Sequence, residues 1–241
     1  MQQPALNPRT SLAGRVLDSL LGENGLLAFV AGYVDTLGFV ALYGLFTAHV
    51  TGNFILIGSG LAGAGSGLSI KLLAFPAFVI GIVVARLLDD MLRGRPEGTR
   101  AVGLYVLQIA LLVAFMLAGV AALPITNPNA PATIVCGLLG AAGMGVQNAH
   151  ARLATRGVAA NTVMTGNVTQ AVIDAFDLLA PGTAHTDRHE AGARLVRTLP
   201  PVLAFALGAG GGALGWLSAS FWALTVPLAL LGVLTWRASR A

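Results

Sequence analysis

Residues 101–123 form an almost unbroken apolar run in which Gln108 is the one polar side chain of consequence. As a helix rising 1.5 Å per residue, such a run crosses a hydrocarbon core of about 30 Å. Lipid offers the backbone no hydrogen bonds, so a chain built from several such runs must satisfy its polar groups internally. The rest of the sequence fits that solvent. Hydrophobic residues make up 56% of the 241 and charged residues 10%, where a soluble domain carries roughly a quarter charged. The class read from this is all-α, a polytopic integral membrane protein with the lipid bilayer as its first partner.

Charge and cysteine remove other classes. The 14 Lys and Arg residues give a formal net charge of +4, yet they are scattered through short connectors instead of forming the basic face that nucleic acid requires, so no nucleic-acid partner is expected. The single cysteine, Cys136, lies inside an apolar run and reads as a small hydrophobe with no internal disulfide. Residues 1–9 lack the pattern of a cleaved leader. Leu12, Val16, Leu17, Leu20 and Leu21 recur at helical spacing beside Arg15, Asp18 and Glu23, which predicts a short helix on the membrane surface within an N-terminal segment, 1–25.

Eight apolar segments follow in a single membrane domain, 26–236, before a cytoplasmic tail, 237–241. Those at 26–46, 72–88, 101–123, 132–148, 199–217 and 218–236 suit full crossings. Lys71 and Arg86 flank the second of these and are expected to snorkel. The segments at 50–63 and 161–180 are too short, too rich in glycine or too polar to be good lipid-facing spans; the latter carries Asn167, Gln170, Asp174 and Asp177.

The segments fall into two copies, 26–123 and 132–236. Asp35 precedes Gly52 by 17 residues and Asn148 precedes Gly166 by 18. Each copy then carries Thr-Gly-Asn, as Thr51, Gly52 and Asn53 or as Thr165, Gly166 and Asn167. A proline and a glycine follow, Pro76 and Gly81 in one copy, Pro201 and Gly208 in the other. Three landmarks in one order point to duplication.

Charge sets their orientation. Were all eight segments to cross, the connectors with Arg93, Arg95 and Arg100 and with Arg152 and Arg156 would face outside, against the positive-inside bias. If the short segments re-enter instead, both termini and every basic connector face the cytoplasm, and only Lys71 is misplaced. The expectation is therefore six spanning helices plus two short re-entrant or half-spanning ones. Three spans per copy then force the copies to insert as inverted repeats, as in many secondary transporters.

Asp35 is the sharpest single residue, because a carboxylate well inside a span costs at least about 2.5 kcal/mol on insertion scales. It reads as a proton-exchanging or cation-holding group; the competing reading is a hydrogen-bonded acid that joins helices. Its counterpart Asn148 keeps the shape without the charge, and Gln147 beside it is a secondary candidate. Thr51 and Thr165 are placed to cap short helices whose positive N-termini suit an anion or a polarised carbonyl, with Gly52 and Gly166 allowing close approach and Asn53 and Asn167 completing a central pathway. The competing reading makes these only caps and packing. His49 has no match in the second copy; of two readings, a pH-sensing group that relays a proton to Asp35 or a partly solvated interfacial side chain, the second is preferred, and it ranks as secondary to Asp35. The group His185, Asp187, His189 and Glu190 lacks fixed ligand spacing, so no metal is expected. No organic cofactor and no enzymatic activity are expected either, since nucleotide loops and nucleophile motifs are absent from the sequence.

The ordered set of Ala31-Gly32-Tyr33-Val34-Asp35, His49-Val50-Thr51-Gly52-Asn53, Gly145-Val146-Gln147-Asn148 and Thr165-Gly166-Asn167 resembles the YoaK family of bacterial inner-membrane proteins, over about residues 26–236. The resemblance implies a multi-pass inner-membrane location and a transporter-like organisation, and brings no substrate. The reading is a secondary transporter or permease for a small molecule or ion. The alternative is a non-transporting structural or partner-binding membrane protein. The glycine-rich surface around residues 208–215 suits packing within a subunit or in a homo-oligomer.

Overall fold

The computed structural model describes residues 12–153, 164–180 and 185–240, and among these the secondary structure is helical throughout. The helices are α1 (Leu12–Leu20), α2 (Glu23–Ala41), α3 (Gly52–Leu61), α4 (Leu68–Met91), α5 (Glu97–Ala122), α6 (Pro131–Leu153), α7 (Met164–Leu179), α8 (His185–Ala219) and α9 (Thr225–Ser239), with a 3₁₀ turn at Ser220–Leu224 between the last two. Five helical stretches are long and apolar enough to cross a membrane: α2, α4, α5, α6 and Arg188–Ser239. Arg9, Arg156 and the side chains of His185 and Asp187, which entered the reading of topology and of metal binding, lie outside the described residues.

Ion pairs and hydrogen bonds gather the helix ends. Tyr105, near the start of α5, donates its hydroxyl to Glu23 at the start of α2 at 2.6 Å. Asp89, near the end of α4, accepts from Arg100 at the start of α5 at 2.5 and 2.8 Å. Arg237, near the end of α9, donates to the carbonyl of Leu21. Starts of α2 and α5 therefore share one face with ends of α4 and α9, as alternating up and down helices require. His150, near the end of α6, joins them with its ring 4.5 Å from that of Tyr105.

Backbone-to-backbone approach at glycine sets the core. A Cβ on Gly32 of α2 would lie 2.2 Å from the carbonyl oxygen of Phe205 on α8, and one on Gly208 would lie 2.1 Å from that of Phe29. The same contacts recur between α4 and α6: a Cβ on Gly145 would lie 2.3 Å from the carbonyl oxygen of Phe78, and one on Gly81 2.2 Å from that of Ala142. The register matches as well. Gly32 stands three residues before Asp35 and Gly145 three before Asn148, while Gly208 and Gly81 each follow their phenylalanine by three. Small residues let bare helix backbones touch, and packing of that kind drives association where lipid removes the hydrophobic effect.

Lys71 departs from expectation. It does not snorkel but is buried, with its ammonium donating to the carbonyls of Tyr43 at 2.7 Å and of Ser66. The cause is local: Tyr43 and Gly44 both take positive φ, the chain reverses after α2, and its carbonyls need a donor. α8 also differs from the apolar run read for it, since its helix begins at His185 and carries a polar first half against α7 and α1.

The crossings predict a sharp contrast. Gly208→Ala forces a Cβ into backbone and is expected to destabilise by about 1–3 kcal/mol, whereas Gly210→Ala, which points into open space, should change stability by less than about 0.5 kcal/mol. Equilibrium unfolding in mixed detergent micelles measures both.

Candidate functional site

After α2 the chain does not continue outward but folds back along it. Residues 42–51 return to the level of Asp35, which is buried at 3% exposure well inside α2. One carboxylate oxygen, Oδ1, accepts from the backbone N–H of Thr47 at 2.6 Å, the N–H of Ala48 at 2.8 Å and the hydroxyl of Thr47 at 3.3 Å. The other, Oδ2, lies 2.8 Å from Nδ1 of His49. The imidazole rests edge-on against Phe205 of α8 with centroids 5.0 Å apart, and its side chain keeps 29% exposure. Asp35 therefore supplies the acceptor that two buried backbone N–H groups of the returning chain need.

Asn53 fixes the other edge of the returning strand. Its Oδ1 accepts from the N–H of Phe46 at 3.0 Å and its Nδ2 donates to the carbonyl of Phe46 at 2.8 Å. A side-chain amide thus pairs with a main-chain residue as a neighbouring strand would, satisfying both polar groups where lipid cannot. Gly52 packs against the Phe46 ring, which a Cβ would approach to 3.0 Å. Thr51 differs from the expected cap: its side chain makes no capping bond, and the first turn closes through the N–H groups of Gly52, Asn53 and Phe54 on the carbonyls of His49, Val50 and Thr51. The helix start is consumed by the carbonyls of its own chain.

In the second copy Asn148 donates to the carbonyl of Met144 in its own helix at 3.0 Å and lines a shallow cleft of about 270 Å³ with Phe78, Ile82 and Arg152. Asn167 is buried, while Thr165 and Gly166 are exposed at the start of α7. α3 packs on α4 and α7 on α8, and these two short helices make no contact with each other, so the structure does not bring the two Thr-Gly-Asn motifs together. Gln147 is a structural bridge: it accepts from Gln108 of α5 at 2.7 Å and donates to the carbonyl of Leu27 on α2 at 2.8 Å. Asp174, one of the groups that made 161–180 a poor lipid-facing span, is fully buried against Arg194 of α8, Oδ1 to Nε 2.8 Å.

His49, set below Asp35 in the sequence reading as a partly solvated side chain, is placed by the structure on that carboxylate. Its partner stands 14 positions earlier, and only the reversal at Tyr43 and Gly44 brings the two together. The available signal was a histidine abutting a motif that itself follows an intramembrane acid.

A family model described as "Protein of unknown function (DUF1275)" matches residues 25–236. Over 152 residues the chain is 30% identical to the UPF0700 transmembrane protein YoaK of Bacillus subtilis (strain 168), covering 62% of this chain and 64% of that relative. The match thus spans less than two thirds of the relative's own length. Both findings bear out the resemblance to the YoaK family read from the motifs. No solved structure matches.

Removing the carboxylate strands two buried N–H groups, so Asp35→Ala is expected to cost about 3–5 kcal/mol and Asn53→Ala about 1–3 kcal/mol. Unfolding in mixed micelles reads the magnitudes. Hydrogen exchange should localise the first loss of protection to residues 42–54 in both variants.

Proposed function

This chain belongs to the DUF1275 family, and on that premise we propose that it is a secondary transporter or permease for a small molecule or ion, set in the bacterial inner membrane with both termini in the cytoplasm. The observation that carries the reading is the fold-back of residues 42–51 onto Asp35. Non-helical backbone and a buried carboxylate at membrane depth are costly, and such features mark solute and ion pathways.

The proposed architecture is six spans, α2, α4, α5, α6, α8 and α9, with α3 and α7 as half-spanning helices in two inverted repeats. Its support is the mirrored glycine crossing, α2 on α8 and α4 on α6, with the same register in both. A further support is the shared face of basic helix ends, Arg100, Arg237 and the Arg86 and Arg93 pairs to Asp90. Single cysteines at Ala64 and Ser239, in a Cys136→Ala background, test it. Six spans place them on opposite faces of the membrane, so each labels from one side only, whereas eight spans place them on the same face.

A second reading, a non-transporting structural or partner-binding membrane protein, is favoured by one observation: both ends of the Asn53 amide are engaged by Phe46 and the amides of Gln108 and Gln147 tie three helices. Proteoliposomes loaded with a pH-sensitive dye and presented with a panel of sugars, amino acids, organic acids and monovalent cations separate the two. Transport predicts solute-dependent flux whose pH dependence Asp35→Asn abolishes. Absence of flux from folded protein over the whole panel supports the structural reading.

A further inference from the structure

We propose that His49, acting through Nε2, takes up the proton that this site exchanges, and that its charge sets how firmly residues 42–51 are held on Asp35. The inference deepens the transport reading and rests on it only for its use in coupling; the proton site itself stands on the geometry. Nδ1 faces the Asp35 carboxylate at 2.8 Å, which fixes the tautomer with the proton on that nitrogen and leaves Nε2 as the accepting atom. Asp35 is sealed, its carboxylate already engaged by two N–H groups and a hydroxyl. His49 is the partner that keeps an exposed edge.

The charges facing the ring are few. α2 supplies Asp35. α8 supplies Phe205, and between Arg197 and Ala219 it bears no titratable side chain. The start of α3 supplies Gly52, Asn53 and Phe54, none of which titrates. Lys71 of α4, the other charged group bonded to residues 42–51, is held at their far end by the carbonyls of Tyr43 and Ser66.

The step balances simply. A proton from water binds Nε2, the Nδ1–H stays donated to Asp35, and no covalent bond between heavy atoms changes. Before uptake the pair carries one net negative charge in a medium that penalises it; afterwards it is a neutral ion pair, and the carboxylate has a full positive partner. Uptake therefore tightens the fold-back, and release loosens it.

Hydrogen exchange of full-length protein in detergent micelles, followed in a peptide containing Thr47 and Ala48 and corrected for intrinsic pH dependence, reads this directly. Wild type should exchange about fivefold faster at pH 8 than near pH 5.5. His49→Asn keeps an N–H donor at the position of Nδ1 and removes the titrating nitrogen. It should lose that ratio while retaining a monodisperse elution profile; His49→Ala serves as the control for loss of the donor itself. An unchanged ratio in His49→Asn overturns the proposal. So does a solute flux whose pH dependence survives His49→Asn but disappears in Asp35→Asn, which would leave transport intact and move the proton to Asp35. If no panel solute moves while the exchange ratio still vanishes in His49→Asn, the proton site stands and the transport reading falls.

Discussion

A single carboxylate at membrane depth governs the fold around it. The chain that folds back after α2 carries backbone N–H groups that lipid cannot satisfy, and Asp35 meets two of them by accepting from Thr47 and Ala48. An acid in this position is itself expensive unless wrapped, which is why α2 is buried along most of its length. Wrapping a helix so completely requires neighbours that approach to backbone contact. Gly32, Gly208 and Gly212 provide that approach, their absent Cβ atoms leaving room for the carbonyls of Phe205, Phe29 and Tyr33.

The same scaffold is built twice, but the polar chemistry is not. Asn148 occupies the place of Asp35 and turns to its own helix, bonding the Met144 carbonyl, so only one half holds an acid at this level. Glycine positions tolerate no substitution without moving backbone, and both copies therefore keep them. The polar position meets different partners in the two copies, the returning chain for Asp35 and its own helix for Asn148, which leaves it free to differ.

Much of this was legible because membrane solvent makes sequence speak plainly. Length and hydropathy alone located α2, α4, α5 and α6, and the ordered landmarks included glycines whose contacts recur between α2 and α8 and between α4 and α6. The glycines around residue 208 read correctly as a close-packing surface. What stayed hidden depended on chain reversal. The pairing of Asn53 with Phe46, the capture of Lys71 by Tyr43, and the meeting of His49 with Asp35 all follow from positive φ at Tyr43 and Gly44, and no periodicity reports a reversal. Thr51 misled for a related reason: a good capping residue is idle when the preceding carbonyls close the first turn themselves. The burial of Asp174 was equally invisible, since Arg194 lies 20 positions away on another helix.

The contacts divide the helices in a way that crosses the two copies. Backbone contact at glycine locks α2 to α8 and α4 to α6, and such contacts leave little freedom for sliding. Between these pairs the polar link runs through side chains, from Gln147 on α6 to the carbonyl of Leu27 on α2. Residues 42–51 join the same two pairs through the backbone: their inner end is pinned to α2 by Asp35 and rests on α8 through His49, while α3, which they lead into, packs on α4. Relative movement of the pairs must therefore stretch or release this segment. Two charged contacts hold it, Asp35 with His49 toward one end and Lys71 on the Tyr43 carbonyl toward the other, so the segment that joins the two pairs is held by charge at both ends.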